Sequence, residues 1–234
     1  ALGPALLAAL LVGMVIALLL AALVVPARAH PLVAGMALHF ACLGATALLF
    51  ARHPALGSVT TFDQLASPWR HAPWIGAALL PFGLAALLGR TRFGLHLRAA
   101  GDHPAALRAA GGHPARVRVL ALALAGALGG LAGATLTTVL SGTFVDGMSG
   151  GRGFLALALV LFARWRPLGA LAAGLFVALL MTVELRLGAD AARHGQGFAV
   201  FALRALPWVA TITALALRRP DRSAAPGALN EPLD

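Results

Sequence analysis

The side chains in this sequence suited to acid–base or metal chemistry are eight histidines, eight carboxylates and one cysteine. Their spacing assembles no centre. His30, His53, His71, His96, His103, His113 and His194 fall in loops or near the ends of apolar segments. None belongs to a His-Glu-x-x-His pattern, which would set two imidazoles on one helix face for zinc. Cys42 stands alone inside an apolar run, so no disulfide and no cysteine-based metal site can form within one chain. The sequence has no lysine, and with it no Gly-x-x-x-x-Gly-Lys-Ser/Thr loop to cradle a triphosphate. Gly150-Gly151-Arg152-Gly153 is glycine-rich but lacks the strand that a nucleotide fingerprint requires. No catalytic residue, metal site or cofactor is expected in this chain.

Charge is concentrated elsewhere. Between Arg90 and Arg118, six arginines (90, 92, 98, 108, 116 and 118) stand against a single carboxylate, Asp102. The block reads RTRFGLHLRAAGDHPAALRAAGGHPARVR, and long runs of Ala, Leu, Val and Gly lie on either side. Short cytoplasmic loops of membrane proteins accumulate arginine and lysine, so loop 90–118 is expected on that side. Within it, Asp102–Ala110 has the marks of a short helix. Asp102 is a plausible N-cap, Pro104 suits the first turn, and Gly111 and Gly112 are stops. Ala105, Ala106, Ala109 and Ala110 make a slim rod, with Arg108 available to carboxylates. On the residues alone, a solvated loop held by charge bias is the competing reading.

The elements around the block are dictated by composition. The chain is 60% hydrophobic and 11% charged, with a mean hydropathy of +0.87; soluble domains carry about 25% charged residues. A core of 234 residues could not hide this much apolar surface, so the solvent must be lipid. The net charge of +10 does not point to nucleic acid, because the arginines sit in short patches and not along one stripe with interleaved aromatics.

Six apolar runs approach the length needed to cross ~30 Å of hydrocarbon: Leu2–Val25, Leu32–Ala51, Trp74–Gly89, Val117–Leu140, Leu168–Leu187 and Phe198–Leu217. The first lacks the positively charged start of a secretory signal and reads as a true span. A seventh run, Gly153–Ala163, rises only about 16 Å as a helix. Treating it as a crossing keeps the basic tail (Arg218, Arg219, Arg222) on the same side as the basic block, together with Arg164 and Arg166. The expected architecture is therefore an all-α, polytopic membrane bundle of about seven crossings over residues 1–217, followed by a polar cytoplasmic tail, 218–234. Residue 1 then lies outside, and loop 52–73, with Asp63 and Trp69, is external. Gly126, Gly130 and Ala134 recur at four-residue spacing, as do Gly129 and Gly133, which lets helix backbones approach closely in lipid.

Polar residues within the runs are the remaining candidates, because burying them in lipid is costly. They are His39 with Cys42, Thr46, Thr137, Thr138 and Thr182, and most of the threonines are expected to bond their own helix backbones. His39 is the one chosen to line a path. Between two runs, Thr143–Arg152 combines three glycines with Asp146 and Ser149. Irregular backbone of this kind survives at membrane depth only inside protein or against a water-filled cavity. Asp146, Ser149 and Gly150 are thus candidate path residues; a tight connection with Asp146 paired to Arg152 is the alternative. Arg164-Trp165-Arg166-Pro167 reads as an interfacial anchor.

From about residue 90 onward the sequence resembles the permease subunits of bacterial ABC importers of the nucleoside and simple-sugar type, within the ribose and branched-chain amino acid permease superfamily. The resemblance is carried by TRFGLHLRAAGDHPAALRAAG (91–111), LAGALGGLAGA (124–134), FVDGMSGGRGFLALALVLFARWRPLGA (144–170), ALPWVATITALAL (205–217) and APGAL (225–229), with HPLVAGMALHFACLG (30–44) weaker. It implies that Asp102, His103, Pro104, Ala105, Arg108 and Gly111 form a coupling helix docking on an ATP-binding cassette ATPase, which would hold ATP and magnesium. It also implies a second permease subunit, identical or homologous, an external substrate-binding lipoprotein, and a multi-pass place in the bacterial inner membrane. Relatives commonly have Glu-Asn-Pro where this chain has Asp102-His103-Pro104, Asn at the place of His39, and Gly at that of Ala163. They also carry N-terminal helices not found here, about three spans' worth. An ion-coupled secondary transporter, or another polytopic membrane protein, is the rival reading. It would need carboxylates near the midplane, and Glu184 is the only one close to a span.

Overall fold

The computed structural model describes residues 2–27, 29–53, 72–195, 197–216 and 227. Loop 54–71 and nearly all of the tail, with the expectations placed on them, lie outside the described residues. Those residues form α1 (Leu2–Val24), α2 (Pro31–Arg52), α3 (Ala72–Arg90), α4 (Arg92–Asp102), α5 (Pro104–Ala109), α6 (Pro114–Thr135), a π-helical continuation Leu136–Ser141, α7 (Arg152–Phe162), α8 (Pro167–Arg193) and α9 (Gly197–Ala216). No strand occurs among them. Among the described residues, five helices are long and apolar enough to cross a membrane: Gly3–Val24, Pro31–Arg52, Pro73–Arg90, Pro114–Ser141 and Pro167–Arg193. α9 coincides with the sixth expected run, and α7 is the short one, at 11 residues. The chain is a polytopic helical membrane protein.

One local rule sets most helix boundaries. Proline disfavours the α conformation in the residue before it, yet fits the first helical turn itself. α2, α5, α6 and α8 all open on a proline preceded by a residue outside the helical region: His30 (φ −61°, ψ 122°), His103 (−143°, 78°), His113 (−116°, 92°) and Arg166 (−100°, 127°). The same rule ends α2 at His53, which precedes Pro54. Four of the histidines that looked like chemical candidates are thus residues preceding proline at helix boundaries.

The residues cluster into two compact units, one of Ala1–Ala77, Leu87–Gly150 and Pro226–Asp234, the other of Ala78–Ala86 and Gly151–Ala225. In the first, α1 lies along α6 in backbone contact. A methyl on Gly126 would collide with the Gly13 carbonyl and the Ala17 methyl, and one on Gly130 with the Ala9 carbonyl. Gly129 and Gly133 face open space. Of the two small-residue rows seen in the sequence, this contact uses only the first. α6 then loosens into the π segment. There the Thr135 hydroxyl donates to the Leu131 carbonyl at 2.8 Å, and the Thr137 and Thr138 hydroxyls donate to the Ala134 carbonyl at 2.9 and 2.7 Å. These threonines supply donors to carbonyls where the ladder changes register. Gly142, at φ +66°, closes the segment.

In the second unit, α7, α8 and α9 pack on one another. α7 ends with the Arg164 amide donating to the Leu161 carbonyl (3.1 Å) and the Trp165 amide to the Val160 carbonyl (3.2 Å). This is the 5→2 and 6→1 pairing of a Schellman cap, built with Arg164 (φ 57°) where glycine is favoured. Ala163 is buried, and its close approach to the next helix is made possible by a glycine on that helix. A methyl on Gly169 would come within 2.8 Å of the Ala163 carbonyl. In α9, the buried Thr211 hydroxyl donates to the Pro207 carbonyl at 2.7 Å. Across both units the buried apolar residues are mostly alanines, while Leu, Val and Phe of the long helices face outward, as hydrocarbon solvent allows.

Candidate functional site

The basic block is not a loop. It folds into α4, α5 and the opening of α6, a three-helix clip with its own small core of Ala100, Leu107 and Val117, flanked by Leu97 and Ala99. The sequence reading missed α4 because arginines interrupt its apolar face. The signal was nonetheless present: Phe93, Leu97 and Ala100 recur at helical spacing, and Thr91 is a good N-cap residue. Its hydroxyl oxygen accepts the Gly94 amide at 3.1 Å and donates to the Leu87 carbonyl at 2.5 Å, clasping α3 to α4. Gly94 allows the elbow to close, since a methyl there would strike the backbone of Leu87 and Leu88.

The expected helix Asp102–Ala110 exists with shifted ends. Asp102 is the last residue of α4, not a cap of α5; His103 is at once the C-cap of α4 and the N-cap of α5. The cause is Pro104, which drives its predecessor out of the α region, so the break falls one residue later than a side-chain cap would place it. The His103 amide donates to the Ala99 carbonyl at 2.9 Å, ending α4, and no side chain caps α5.

The C-terminal stop is as expected. The Gly111 amide donates to the Arg108 carbonyl and the Gly112 amide to the Leu107 carbonyl, both at 2.9 Å, with Gly111 at φ +79°. This is a complete Schellman cap. On α5, Leu107 is 5% exposed and turned into the clip, while Ala105, Ala106, Arg108, Ala109 and Ala110 are exposed. The result is a short rod presenting alanines and one guanidinium outward, with Leu107 anchoring it. Gly227, the described residue of the tail, lies against the Asp102 carbonyl; a methyl there would be 2.9 Å away.

The candidate path residues do not converge on one spot. Asp146, Ser149 and Gly150 share a pair of consecutive turns, in which the Met148 amide donates to the Val145 carbonyl (3.1 Å) and the Gly150 amide to the Gly147 carbonyl (2.9 Å). All three are exposed. Phe144 of this segment meets Phe50 at the end of α2, with ring centroids 5.9 Å apart. His39 lies eleven residues earlier on α2, about 16 Å along the axis, edge-on to Phe40 at 5.6 Å. Gly147 and Gly150 have φ of +68° and +51°, so backbone shape alone favours glycine there. The threonines behave as expected: Thr46 donates to the Cys42 carbonyl at 3.0 Å and Thr182 to the Ala178 carbonyl at 2.8 Å. No group of three or more His, Cys, Asp or Glu able to hold a metal occurs among the described residues.

Comparison with known proteins agrees with this architecture. The chain is 29% identical over 198 residues to the guanosine ABC transporter permease protein NupQ of Bacillus subtilis, covering 77% of this chain and 62% of that protein. It is 34% identical over 131 residues to the nucleoside ABC transporter permease protein NupC of Lactococcus lactis (56% and 41%). It is 31% identical over 191 residues to the putative glucose ABC transporter permease protein TsgC13 of Haloferax volcanii (74% and 58%). The chain thus spans less than two thirds of the length of these relatives. No solved structure matches. The family described as branched-chain amino acid transport system / permease component matches residues 2–203, and this chain belongs to it.

Proposed function

We propose that this chain is a membrane-spanning subunit of an ATP-driven importer, forming part of the path for a nucleoside or simple sugar. An external binding protein delivers the substrate, a second permease subunit completes the path, and a separate ATP-binding cassette ATPase supplies the energy in the inner membrane. The observation that carries this reading is the clip. α5 is a six-residue helix with its own packed base, its outer face of alanines and Arg108 left exposed. Such a rod transmits a push better than a loop would, because Leu107 ties it to α4 and α6. The nucleoside or sugar substrate follows from what the relatives' names state of them.

The test is a charge reversal. In the assembled transporter, Arg108→Glu should leave insertion intact while separating ATP hydrolysis from uptake. Unchanged uptake at unchanged hydrolysis counts against the coupling role. Co-purification separates this reading from the ion-coupled alternative: a bound ATPase supports the importer, and proton-driven uptake without one supports the rival.

A further inference from the structure

Three arginines of the basic block stand at or beside the ends of candidate spans, and Arg108 does not. Arg108 sits on α5, separated from the spans by α4 on one side and by Gly111 and Gly112 on the other. Arg90 ends the candidate span Pro73–Arg90, Arg92 opens α4 two residues later, and Arg116 is in the first turn of Pro114–Ser141. The candidate span Pro73–Arg90 has 18 residues, about 27 Å of helix. That matches the ~30 Å hydrocarbon thickness and leaves Arg90 at headgroup depth.

Pro114–Ser141 has 28 residues, about 42 Å, well beyond that thickness. Since arginine is costly inside hydrocarbon, its first turn with Arg116 stands clear of the apolar layer. α4 ties the two ends together, beginning at Arg92 two residues after Arg90 and packing on α6. Arg90, Arg92 and Arg116 are all exposed.

Between Arg92 and Arg98 on the outer face of α4 stands Leu95, 59% exposed. A leucine bracketed by guanidinium groups suits a surface that is apolar and anionic at once. The phosphate and glycerol layer of a bilayer offers both, at the depth where the span lengths put these residues.

We propose that Arg90, Arg92 and Arg116 form a binding surface for anionic phospholipid headgroups in the leaflet where α3 ends. The guanidinium forks hold phosphate oxygens, and Leu95 beds against the acyl boundary. The lipid grips the clip from its membrane side and leaves the exposed face of α5 to a protein partner. Each arginine contributes about fivefold to affinity, the equivalent of about 1 kcal/mol for a basic residue at an anionic surface.

Native mass spectrometry tests this on the full chain, released from nanodiscs of equal phosphatidylglycerol and phosphatidylcholine. The wild type should retain phosphatidylglycerol at least about tenfold over phosphatidylcholine, and R90Q/R92Q/R116Q should lose that preference. R108Q should keep it. Equal retention of both lipids by the wild type overturns the proposal, as does a folded triple variant with unchanged preference. Loss of the preference in R108Q, with the triple variant unchanged, would put the lipid on α5 and overturn the proposal. Release of the lipid by millimolar inorganic phosphate would assign the site to soluble phosphate instead. If the triple variant fails to fold by circular dichroism, the single variants decide, each expected to fall about fivefold. The readout is lipid alone, so its failure is distinct from failure of the transport reading.

Discussion

The Gly112 amide donates to the Leu107 carbonyl at 2.9 Å, so the residue that anchors α5 in the clip also terminates it. A methyl on Gly112 would meet the Leu107 side chain at 2.5 Å. The stop, the anchor and the exposed rod are one unit built around Leu107, and the first prediction concerns that residue. Leu107→Ala removes the largest side chain of the clip core and should cost about 2 kcal/mol locally, at the low end for a buried leucine. Hydrogen exchange in detergent should show faster exchange across residues 104–112 with the long helices unchanged. Equal protection in the variant contradicts the anchoring role.

The Schellman cap makes a second prediction. Gly111 holds φ +79° in open space, so its requirement is conformational and not steric. Gly111→Val should destabilise the stop by about 1–2 kcal/mol, the left-handed penalty for a residue with a Cβ. Gly111→Asn should cost clearly less, because Asn tolerates that region. Limited proteolysis between Arg108 and Arg116 reads the difference; identical cleavage of the two variants rules out the backbone argument.

The α1–α6 contact makes a third. Gly130→Leu and Gly126→Leu place side chains into the backbone of α1, a clash worth roughly 1–3 kcal/mol. Gly129→Leu points into open space and should leave the chain's own fold unchanged. Thermal unfolding of the chain in detergent separates the rows. A Gly129 variant as unstable as a Gly130 variant contradicts the helix face described above.

These examples mark what the residues disclosed and what they withheld. Spans were legible because lipid rewards apolar runs regardless of partners; Leu2–Val25 and Trp74–Gly89 were expected where Leu2–Val24 and Ala72–Arg90 are found. Choosing between the rows 126/130 and 129/133 was not possible, since both have the same spacing and only the neighbour α1 distinguishes them. Asp102 looked like a cap because its chemistry is right, but Pro104 overrides that preference by sterics. The π segment was hidden too: Thr137 and Thr138 were expected to bond their own backbone, yet nothing local announced the change of register. His39 was chosen with Asp146, Ser149 and Gly150 as path-lining, and chain proximity could not reveal that it stands about 16 Å along α2 from the Phe50–Phe144 contact.

For the path itself, the structure selects better probes than glycine. Any β-branched residue at Gly150 strains the turn, whatever the segment does. Asp146→Asn and Ser149→Ala keep the turn, and if the segment borders the path they should lower uptake severalfold with assembly intact. Unaltered uptake in both would leave the segment a simple connection.

The central claim is that α5 is gripped by the ATPase. Cys42 is the only cysteine in the chain, so a Cys42→Ser background carrying Ala106→Cys gives one thiol on the exposed rod. Cross-linking in membrane vesicles with the assembled transporter should join Ala106→Cys to the ATPase subunit, and membrane-impermeant reagent added outside intact cells should not reach it. Labelling from outside, with no ATPase adduct, would contradict the account.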